Sequence, residues 1–299
     1  MRNREAVILV TNDDGIDSPG LIAAVEAVIG LGRVIVVAPT TQQTSRGRSM
    51  VGNWDDHLRP IELHGRGNQP ASEGPDPLEE IEAYHIDASP ALAVQHAMNT
   101  IFFSAWPDLL VSGINYGENL GMDITISGTV GAAFQAASYG IPAIAASQQS
   151  EVAHHYEYAD MDWEGATRVV RKYAETLLRT LREYPPGVAS AGQRRLAAAR
   201  PFPFDILKID VPHVCPPGTP ERICRLSRRH YFRHTIDDPS PTSLLSAGRT
   251  WVDEDPELVQ EGTDIHALAF EAAVAITPLT VDCSADLPES ARALGVELL

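Results

Sequence analysis

The sequence predicts an α/β fold built around a mostly parallel β-sheet. Three observations near the N-terminus predict it: a buried, β-branched run at Ala6 to Thr11, a helical segment at Leu21 to Ile29, and a second buried run at Val34 to Ala38. A strand, a helix and a strand in this succession form a βαβ unit, whose crossover makes the two strands parallel.

The boundaries of these first elements carry their own signals. The strand ends at a polar turn that begins at Asn12. Ser18 and Pro19 are typical of a helix N-cap and a first helical residue, respectively. Gly30 and Gly32 close the helix before the second strand begins.

The same alternation continues along the chain. It predicts helices at 91–99, 130–139 and 163–182, and strands at 109–111, 143–146 and 206–211. Residues 64–77 are rich in glycine, proline and acids, so we expect an exposed loop insertion that joins a hairpin. After Pro212 the pattern changes to short strands and loops, which places a boundary near residue 215. Residues 1–215 are then the core, and residues 216–299 a β-rich C-terminal extension.

Composition limits the function classes. The chain has 299 residues with 23 Lys+Arg and 40 Asp+Glu, a formal net charge of −17. This acidity argues against binding to a nucleic-acid polymer or to an anionic membrane, although a metal ion could still attract a small anion. Three scattered cysteines do not make a disulfide framework. Because no apolar run is long enough for a signal sequence or a membrane span, we expect a cytoplasmic protein.

The first polar cluster is Asn12-Asp13-Asp14-Gly15, directly after the first strand. Two adjacent carboxylates repel each other, so a fold that holds them together has either a cation between them or water around both. A solvated turn is the alternative, because Asn and Asp favour turns for local reasons. The position at the carboxyl end of a parallel strand favours a metal site.

A second and a third cluster follow other strands. Thr40 to Ser49 is a loop rich in hydroxyl and amide side chains, and its relevance depends on lying beside Asp13 and Asp14. The third cluster runs from Ser112 to Gly121 and resumes with Ser127-Gly128-Thr129 at the start of a helix. Glycines and asparagines ahead of such a helix predict a cradle of N–H and hydroxyl groups for a phosphate. The alternative is that Ser127 or Thr129 only caps the helix.

A basic run, residues 222–234, stands out in this acidic chain. Most of its arginines are expected on a solvated face or in ion pairs. Arg225 and Arg229 are the candidates for pairing with a substrate phosphate.

These motifs resemble the SurE family of survival-protein nucleotidases. The resemblance rests on Val10-Thr11-Asn12-Asp13-Asp14-Gly15-Ile16, Val36-Val37-Ala38-Pro39, Ser112-Gly113-Ile114-Asn115 with Gly117, Asn119 and Gly121, and Ser127-Gly128-Thr129-Val130. Weaker matches continue to Ala275-Ile276-Thr277-Pro278-Leu279. The resemblance implies a Rossmann-like, three-layer αβα core and a C-terminal arm used in oligomerisation. It also implies a metal-dependent phosphatase that acts on nucleoside 5'-monophosphates, with 3'-monophosphates left open as further substrates.

Matching the family's motifs to this sequence implies the site residues. One divalent metal ion per subunit falls on Asp13, Asp14, Thr44 and Asn115, with Ser45 as the alternative to Thr44, and the phosphate contacts fall on Asn119, Ser127, Gly128 and Thr129. An all-oxygen ligand set suits Mg²⁺ or Mn²⁺. Asp13 or Asp14 would also accept the proton of the attacking water, and the resemblance implies a homodimer or homotetramer.

Two other functions remain open at the level of sequence. A nucleoside hydrolase also places clustered aspartates after its first strand, although the spacing of Asp13, Asp14 and Asp17 does not match that class. A protein that binds a nucleotide and a metal without turnover is the other, because the loop from Thr40 to Thr44 departs from the family's usual pattern.

Overall fold

The centre of the fold is a nine-stranded sheet, seen in a computed structural model that describes residues 4–65, 77–150, 160–183, 201–253 and 255–284. Its strands are β1 (Val7–Thr11), β2 (Arg33–Pro39), β3 (Arg59–Pro60), β4 (Glu82–Ile86), β5 (Leu109–Tyr116), β6 (Ala143–Gln148), β7 (Ile206–Val211), β8 (Glu221–Ile223) and β11 (Val274–Leu279). Their order across the sheet is β3-β4-β2-β1-β5-β6-β7-β11-β8.

Strand directions confirm the predicted parallel sheet. The six strands from β4 to β7 in the sheet order all run parallel to their neighbours. β3 pairs antiparallel with β4 at one edge, and β11 pairs antiparallel with β7 near the other. The predicted insertion at 64–77 therefore connects two antiparallel neighbours, and its residues 66–76 lie outside the described residues.

Helices cover both faces of the sheet. The helices are α1 (Pro19–Val28), α2 (Pro90–Asn99), α3 (Gly128–Ser138), α4 (Glu164–Glu183) and the short α5 (Asp264–Ala269). α1 packs with α4 on one face, and α2 packs with α3 on the other. The result is the predicted three-layer αβα arrangement.

Alternating side chains divide the core between the two faces. On β1, Ile8 and Val10 join the apolar cluster under α1 and α4, whereas Leu9 joins the cluster under α2 and α3. Because a buried parallel strand contributes to both layers, it is apolar throughout instead of alternating with polar residues. That is why these strands appear in the sequence as continuous apolar runs.

The end of β5 and one helix in the C-terminal part differ from the prediction. β5 continues from Val111 through Ser112 to Tyr116, because its pairing with β6 shifts register between Ser112 and Asn115 and then resumes. In the C-terminal part, α5 was not predicted, since its six residues are too few to show helical periodicity.

The chain after residue 215 contributes to the main sheet and also forms a separate hairpin. β8 and β11 extend the nine-stranded sheet, while β9 (Phe232–Ile236) and β10 (Gly248–Val252) pair antiparallel as a two-stranded sheet. The predicted boundary near residue 215 stays a prediction. Among the described residues, no helix is both long enough and apolar enough to cross a membrane.

Candidate metal and phosphate site

The candidate site lies where the strand order reverses. β1 has β2 on one side and β5 on the other, so the connections that leave β1 and β5 diverge at their carboxyl ends. Such a divergence leaves a crevice, which is where open α/β sheets bind their ligands. The turn after β1 and the end of β5 supply the first site residues.

Asp13 is buried, with 4% of its surface exposed, beside the start of α3. The Thr129 hydroxyl donates to Asp13 Oδ1 at 2.5 Å, and the backbone N–H groups of Gly128 and Thr129 also donate to this carboxylate. Burial raises the pKa of Asp13 because it removes water from the charged form, and these hydrogen bonds offset only part of that rise.

Asp14 is also buried, with 7% of its surface exposed. The backbone N–H of Tyr116, the last residue of β5, donates to Asp14 Oδ2 at 3.0 Å. The Gln42 side-chain amide donates to Asp14 Oδ1 at 3.4 Å. The two carboxylates are therefore held by different elements, Asp13 by α3 and Asp14 by β5.

The hydroxyl-rich loop after β2 is fixed against the same turn. The Gln43 N–H donates to the Asp13 carbonyl oxygen at 2.6 Å, and the Ile16 N–H donates to the Pro39 carbonyl at 2.9 Å. On its far side, the Gly47 N–H donates to the Ile126 carbonyl at 2.8 Å. These backbone hydrogen bonds hold the loop beside Asp13 and Asp14. That position is the condition under which the sequence analysis expected its hydroxyl residues to matter.

Asn115 reaches the site because β5 is irregular. The register shift between Ser112 and Asn115 locally reorients the strand, which is how bulges turn side chains toward active sites. The Asn115 side-chain amide donates to the Gly117 carbonyl at 2.6 Å. That bond uses the nitrogen and leaves the side-chain oxygen as the atom able to bind a cation.

Asn119 and Ser127 come from the connection between β5 and α3. Asn119 Nδ2 donates to the Ser147 hydroxyl at 2.8 Å, which uses one of its two hydrogens. Ser127 Oγ accepts from the Val130 N–H at 3.1 Å and caps α3. Because that oxygen accepts in the cap, the hydroxyl proton of Ser127 can still be donated to a ligand.

Gly128 and Thr129 act toward Asp13. Thr129 is fully buried, and its hydroxyl donates to Asp13. A Cβ on Gly128 would lie 2.6 Å from Asp13 Oδ2, so only glycine leaves room for the carboxylate at this helix N-terminus. The predicted phosphate contacts of these two residues stay a prediction, and the donors described here are directed at the carboxylate.

One cavity of about 320 Å³ joins most of the predicted residues. Its lining includes these predicted residues: Asp13, Asp14, Thr44, Ser45, Asn115, Asn119 and Ser127. It also includes residues that the sequence reasoning did not assign: Tyr116, Gly117, Glu118, Asp123, Ile126, Phe232, Arg233, His234 and Thr250.

Part of the cavity wall comes from the C-terminal hairpin. Asp123 fixes this wall by accepting the N–H groups of Tyr231 and Phe232 at 2.7 and 2.8 Å. Phe232, Arg233 and Thr250 then line the cavity. The only local signal for this wall was the basic run, in which Arg233 lies.

The two arginines selected from that run do not line this cavity. Arg225 is exposed and forms an isolated parallel bridge with Thr263. Arg229 pairs with Asp253 at 2.9 Å, and Arg233 pairs with the same carboxylate at 2.8 Å while also lining the cavity. Of these three arginines, Arg233 is the one that lines the cavity, so it is the better candidate for a contact with substrate.

Glu118 is a buried acid in the cavity wall, with 4% of its surface exposed. It accepts the Ser150 N–H at 3.2 Å and a hydrogen bond from the Tyr231 hydroxyl. Burial, reinforced by the negative charge of Asp210, raises the pKa of Glu118 to about 7. No local pattern in the sequence distinguishes Glu118 from an ordinary loop acid, because its burial depends on tertiary packing.

The donor set fits a hard divalent cation. Two buried carboxylates (Asp13 and Asp14), the Asn115 side-chain amide and the hydroxyl residues Thr44 and Ser45 line one cavity. The described ranges hold no group of three or more His, Cys, Asp or Glu that could bind a metal, so any cation here would depend on amide and hydroxyl ligands as well. At this edge of the sheet, the buried side-chain oxygens of Thr11, Asn12 and Ser112 have no hydrogen-bond partner among the residues that the structure describes. Such atoms mark places where water or an ion completes the hydrogen bonding. Oxygen ligands suit Mg²⁺ or Mn²⁺.

Comparison with known proteins shows the family of the chain. The sequence model of the family described as "Survival protein SurE" matches residues 8–233. The protein named 5'-nucleotidase SurE of Methanocella arvoryzae is 36% identical over 284 residues, covering 93% of each chain. Its namesake in Thermococcus gammatolerans is 36% identical over 282 residues, covering 93% of this chain and 91% of its own. The crystal structure of the SurE protein from Aquifex aeolicus superposes with a TM-score of 0.65 at 26% identity, covering 97% of this chain and 99% of that one.

Proposed function

Because the chain belongs to the SurE family, we infer that it is a 5'-nucleotidase that hydrolyses nucleoside monophosphates, and we propose that it requires one divalent metal ion. The observation that carries this proposal is the meeting of Asp13, Asp14 and Asn115 with Asn119 and Ser127 in one cavity. The proposed cation ligands and the proposed phosphate donors thus line the same cavity.

We propose that Asp13, Asp14, Asn115 and one hydroxyl, from Thr44 or Ser45, hold Mg²⁺ or Mn²⁺. Two buried carboxylates side by side are unfavourable unless a cation compensates their charge. The raised pKa of Asp13 expresses that cost for the protein alone. When bound, such an ion withdraws electron density from a phosphoryl oxygen and acidifies a coordinated water.

The chain's own groups orient the phosphate and take up a proton. The second hydrogen of Asn119 Nδ2 and the hydroxyl proton of Ser127 are available for phosphoryl oxygens, whose negative charge they would stabilise. Asp13 or Asp14 accepts the proton of the attacking water, and Thr129 keeps the Asp13 carboxylate oriented.

The hairpin wall fits the nucleoside. Phe232 offers an aromatic face, Arg233 a positive charge, and Thr250 a hydroxyl, all at the same cavity as the aspartates. A nucleoside needs a stacking surface and a few hydrogen-bonding groups next to the phosphate site. Arg233 also partly counters the negative field of a chain with net charge −17.

The deciding experiment replaces Asp14 by asparagine and measures phosphate release from nucleoside 5'-monophosphates with Mg²⁺, with Mn²⁺ and with EDTA. We expect activity that depends on metal in the native protein and none in Asp14→Asn, with unchanged circular dichroism. Asp17→Asn is the matched control, because Asp17 is exposed and close in sequence. Full activity in Asp14→Asn would refute the site.

The same assay separates the two other functions left open by the sequence. Release of free base instead of phosphate would indicate a nucleoside hydrolase. Metal-dependent nucleotide binding without either product would indicate a binding protein without turnover. The predicted homo-oligomer, the choice between Mg²⁺ and Mn²⁺ and the cytoplasmic location stay predictions.

A further inference from the structure

Three charged side chains are fully buried behind the candidate site. Lys208 and Asp210 lie on β7 and Asp264 begins α5, and none of the three has any exposed surface. Lys208 forms ion pairs with Asp210 and, at 3.1 Å, with Asp264. We refer to Lys208, Asp210 and Asp264 as the buried triad. Lys208 is also one of only two lysines in the sequence.

The buried triad is costly to build. Removing an ion from water costs several kcal/mol, and a buried ion pair recovers this only when its remaining hydrogen-bonding positions are also filled. Burial alone would lower the pKa of Lys208, but the charges of Asp210 and Asp264 outweigh this, so its pKa is raised and the cation is kept. Since such triads are weak evidence for stability, another role needs to be considered.

The hydrogen bonds of the buried triad converge on one short loop. Asp210 Oδ1 accepts the Asn119 N–H at 2.8 Å, and Lys208 Nζ donates to the Asn119 carbonyl at 2.8 Å. Asp264 Oδ2 accepts the Gly121 N–H at 3.0 Å. Both backbone polar groups of Asn119 are therefore fixed by charged partners, whose hydrogen bonds are stronger than neutral ones.

The third member connects this loop to the C-terminal part of the chain. Asp264 Oδ1 accepts the Ser227 N–H at 2.9 Å while Oδ2 accepts the Gly121 N–H. One carboxylate thus joins the phosphate side of the cavity to the segment that leads into the hairpin wall. The side chain of Asn119 is hydrogen-bonded to Ser147, and Asn119 lines the cavity.

We propose that Lys208, Asp210 and Asp264 are positioning residues that hold Asn119 in register with the substrate phosphate. This inference rests on the proposed function, in which Asn119 contacts a phosphoryl oxygen. A misplacement of about 1 Å can cost roughly a hundredfold in rate. The alternative is that the buried triad only stabilises the fold.

A double-mutant cycle between Asp210 and Asn119 distinguishes the two. Asp210→Asn keeps the volume and leaves Lys208 paired with Asp264. Because the Asn119 N–H binds Asp210 Oδ1 and Lys208 Nζ binds Oδ2, the amide, with an oxygen at only one of these positions, loses one of the two hydrogen bonds. The test compares phosphate release from AMP, with Mg²⁺ present, in the native protein, Asp210→Asn, Asn119→Ala and the double variant. Concentrations are normalised to the folded fraction from urea titration.

The expected result is non-additive. Asp210→Asn should lower kcat at least about tenfold in the native background and less than about threefold in Asn119→Ala, because the residue it positions is already gone. The matched control is Asp205→Asn. Asp205 is buried immediately before β7 and accepts the Val281 N–H at 2.8 Å, so it also holds the chain that follows β11, but it is not among the residues that line the cavity. It should keep the native kcat.

Three outcomes would overturn the proposal: native kcat in Asp210→Asn, reductions that multiply in the double variant, or an equal loss in Asp205→Asn. If Asp210→Asn does not fold, Asp264→Asn takes its place in the cycle. It keeps the Lys208–Asp210 pair and weakens the hold on the loop at Gly121, so we expect a smaller loss of kcat that is again absent in the Asn119→Ala background. If the native protein releases no phosphate, the proposed function fails. The same cycle is then measured on AMP affinity, where the two substitutions must again be non-additive.

Discussion

Replacing Glu118 by glutamine should remove a pH-dependent loss of stability. The carboxyl group is 4% exposed, and burial together with the charge of Asp210 raises its pKa from 4.5 to about 7. Between pH 4.5 and about pH 7, the folded state therefore keeps a proton that the unfolded state has already lost. Stability from this group is fully present below the unfolded pKa and is lost as the pH rises through the folded pKa.

The size of the effect follows from that shift. At 1.36 kcal/mol per pKa unit, a rise from 4.5 to about 7 corresponds to roughly 3 kcal/mol, of which about 2.5 kcal/mol falls between pH 5 and pH 8. Glutamine cannot ionise, but it has one acceptor oxygen for the Ser150 N–H and the Tyr231 hydroxyl together. That loss does not depend on pH, so the informative quantity is a difference between two pH values.

Urea unfolding near pH 5 and near pH 8, in EDTA, measures this difference. The free energy of unfolding of Glu118→Gln minus that of the native protein should rise by about 2.5 kcal/mol from the lower to the higher pH. EDTA is needed because a cation beside Asp13 would favour the ionised form of Glu118. The matched control Glu62→Gln alters an exposed carboxyl and should give a flat difference. A flat difference for Glu118→Gln would refute the reasoning.

Three further predictions concern the support of Asp13 and the burial of Lys208. Gly128→Ala puts a Cβ 2.6 Å from Asp13 Oδ2, so phosphate release should fall about a hundredfold in a protein whose circular dichroism is native, and native turnover would contradict the described packing. Thr129→Val removes the hydroxyl donor to Asp13 and should cost roughly tenfold in kcat, whereas Thr129→Ser keeps the donor and should stay within about threefold; equal losses would argue against this hydrogen bond. Reductive methylation followed by digestion and mass spectrometry should modify Lys172 but not Lys208 in the folded protein, and equal labelling of both would show that Lys208 is accessible.

Much of the fold could be predicted because its signals are local. The N-cap at Ser18, the β-branched run of β1 and the turn that begins at Asn12 each lie within a few residues of the element they define. The adjacency of Asp13 and Asp14 was likewise visible, and a position after a parallel strand gave it meaning.

The rest of the site depends on contacts between distant segments. Phe232 and Arg233 reach the cavity because Asp123, more than a hundred positions earlier, accepts the backbone N–H groups of Tyr231 and Phe232. Thr129 could be identified as a residue near a helix start, but whether its hydroxyl meets a ligand or Asp13 is decided by how α3 packs against the turn after β1. No period or spacing encodes either relation.

The insertion of β11 between β7 and β8 has a consequence for how the chain folds during synthesis. β7 emerges from the ribosome well before β11, so one of its edges lacks its partner strand until residues 274–279 are made. For most of that interval Asp264 is also missing, and Lys208 has only Asp210 as its partner within the triad. The nascent chain therefore carries an open strand edge and an incompletely compensated charge, both features that invite chaperone binding or premature association. We expect three events to occur together as one late step: β11 completes the sheet, Asp264 balances the charge of Lys208, and the loop at Asn119 and Gly121 becomes fixed.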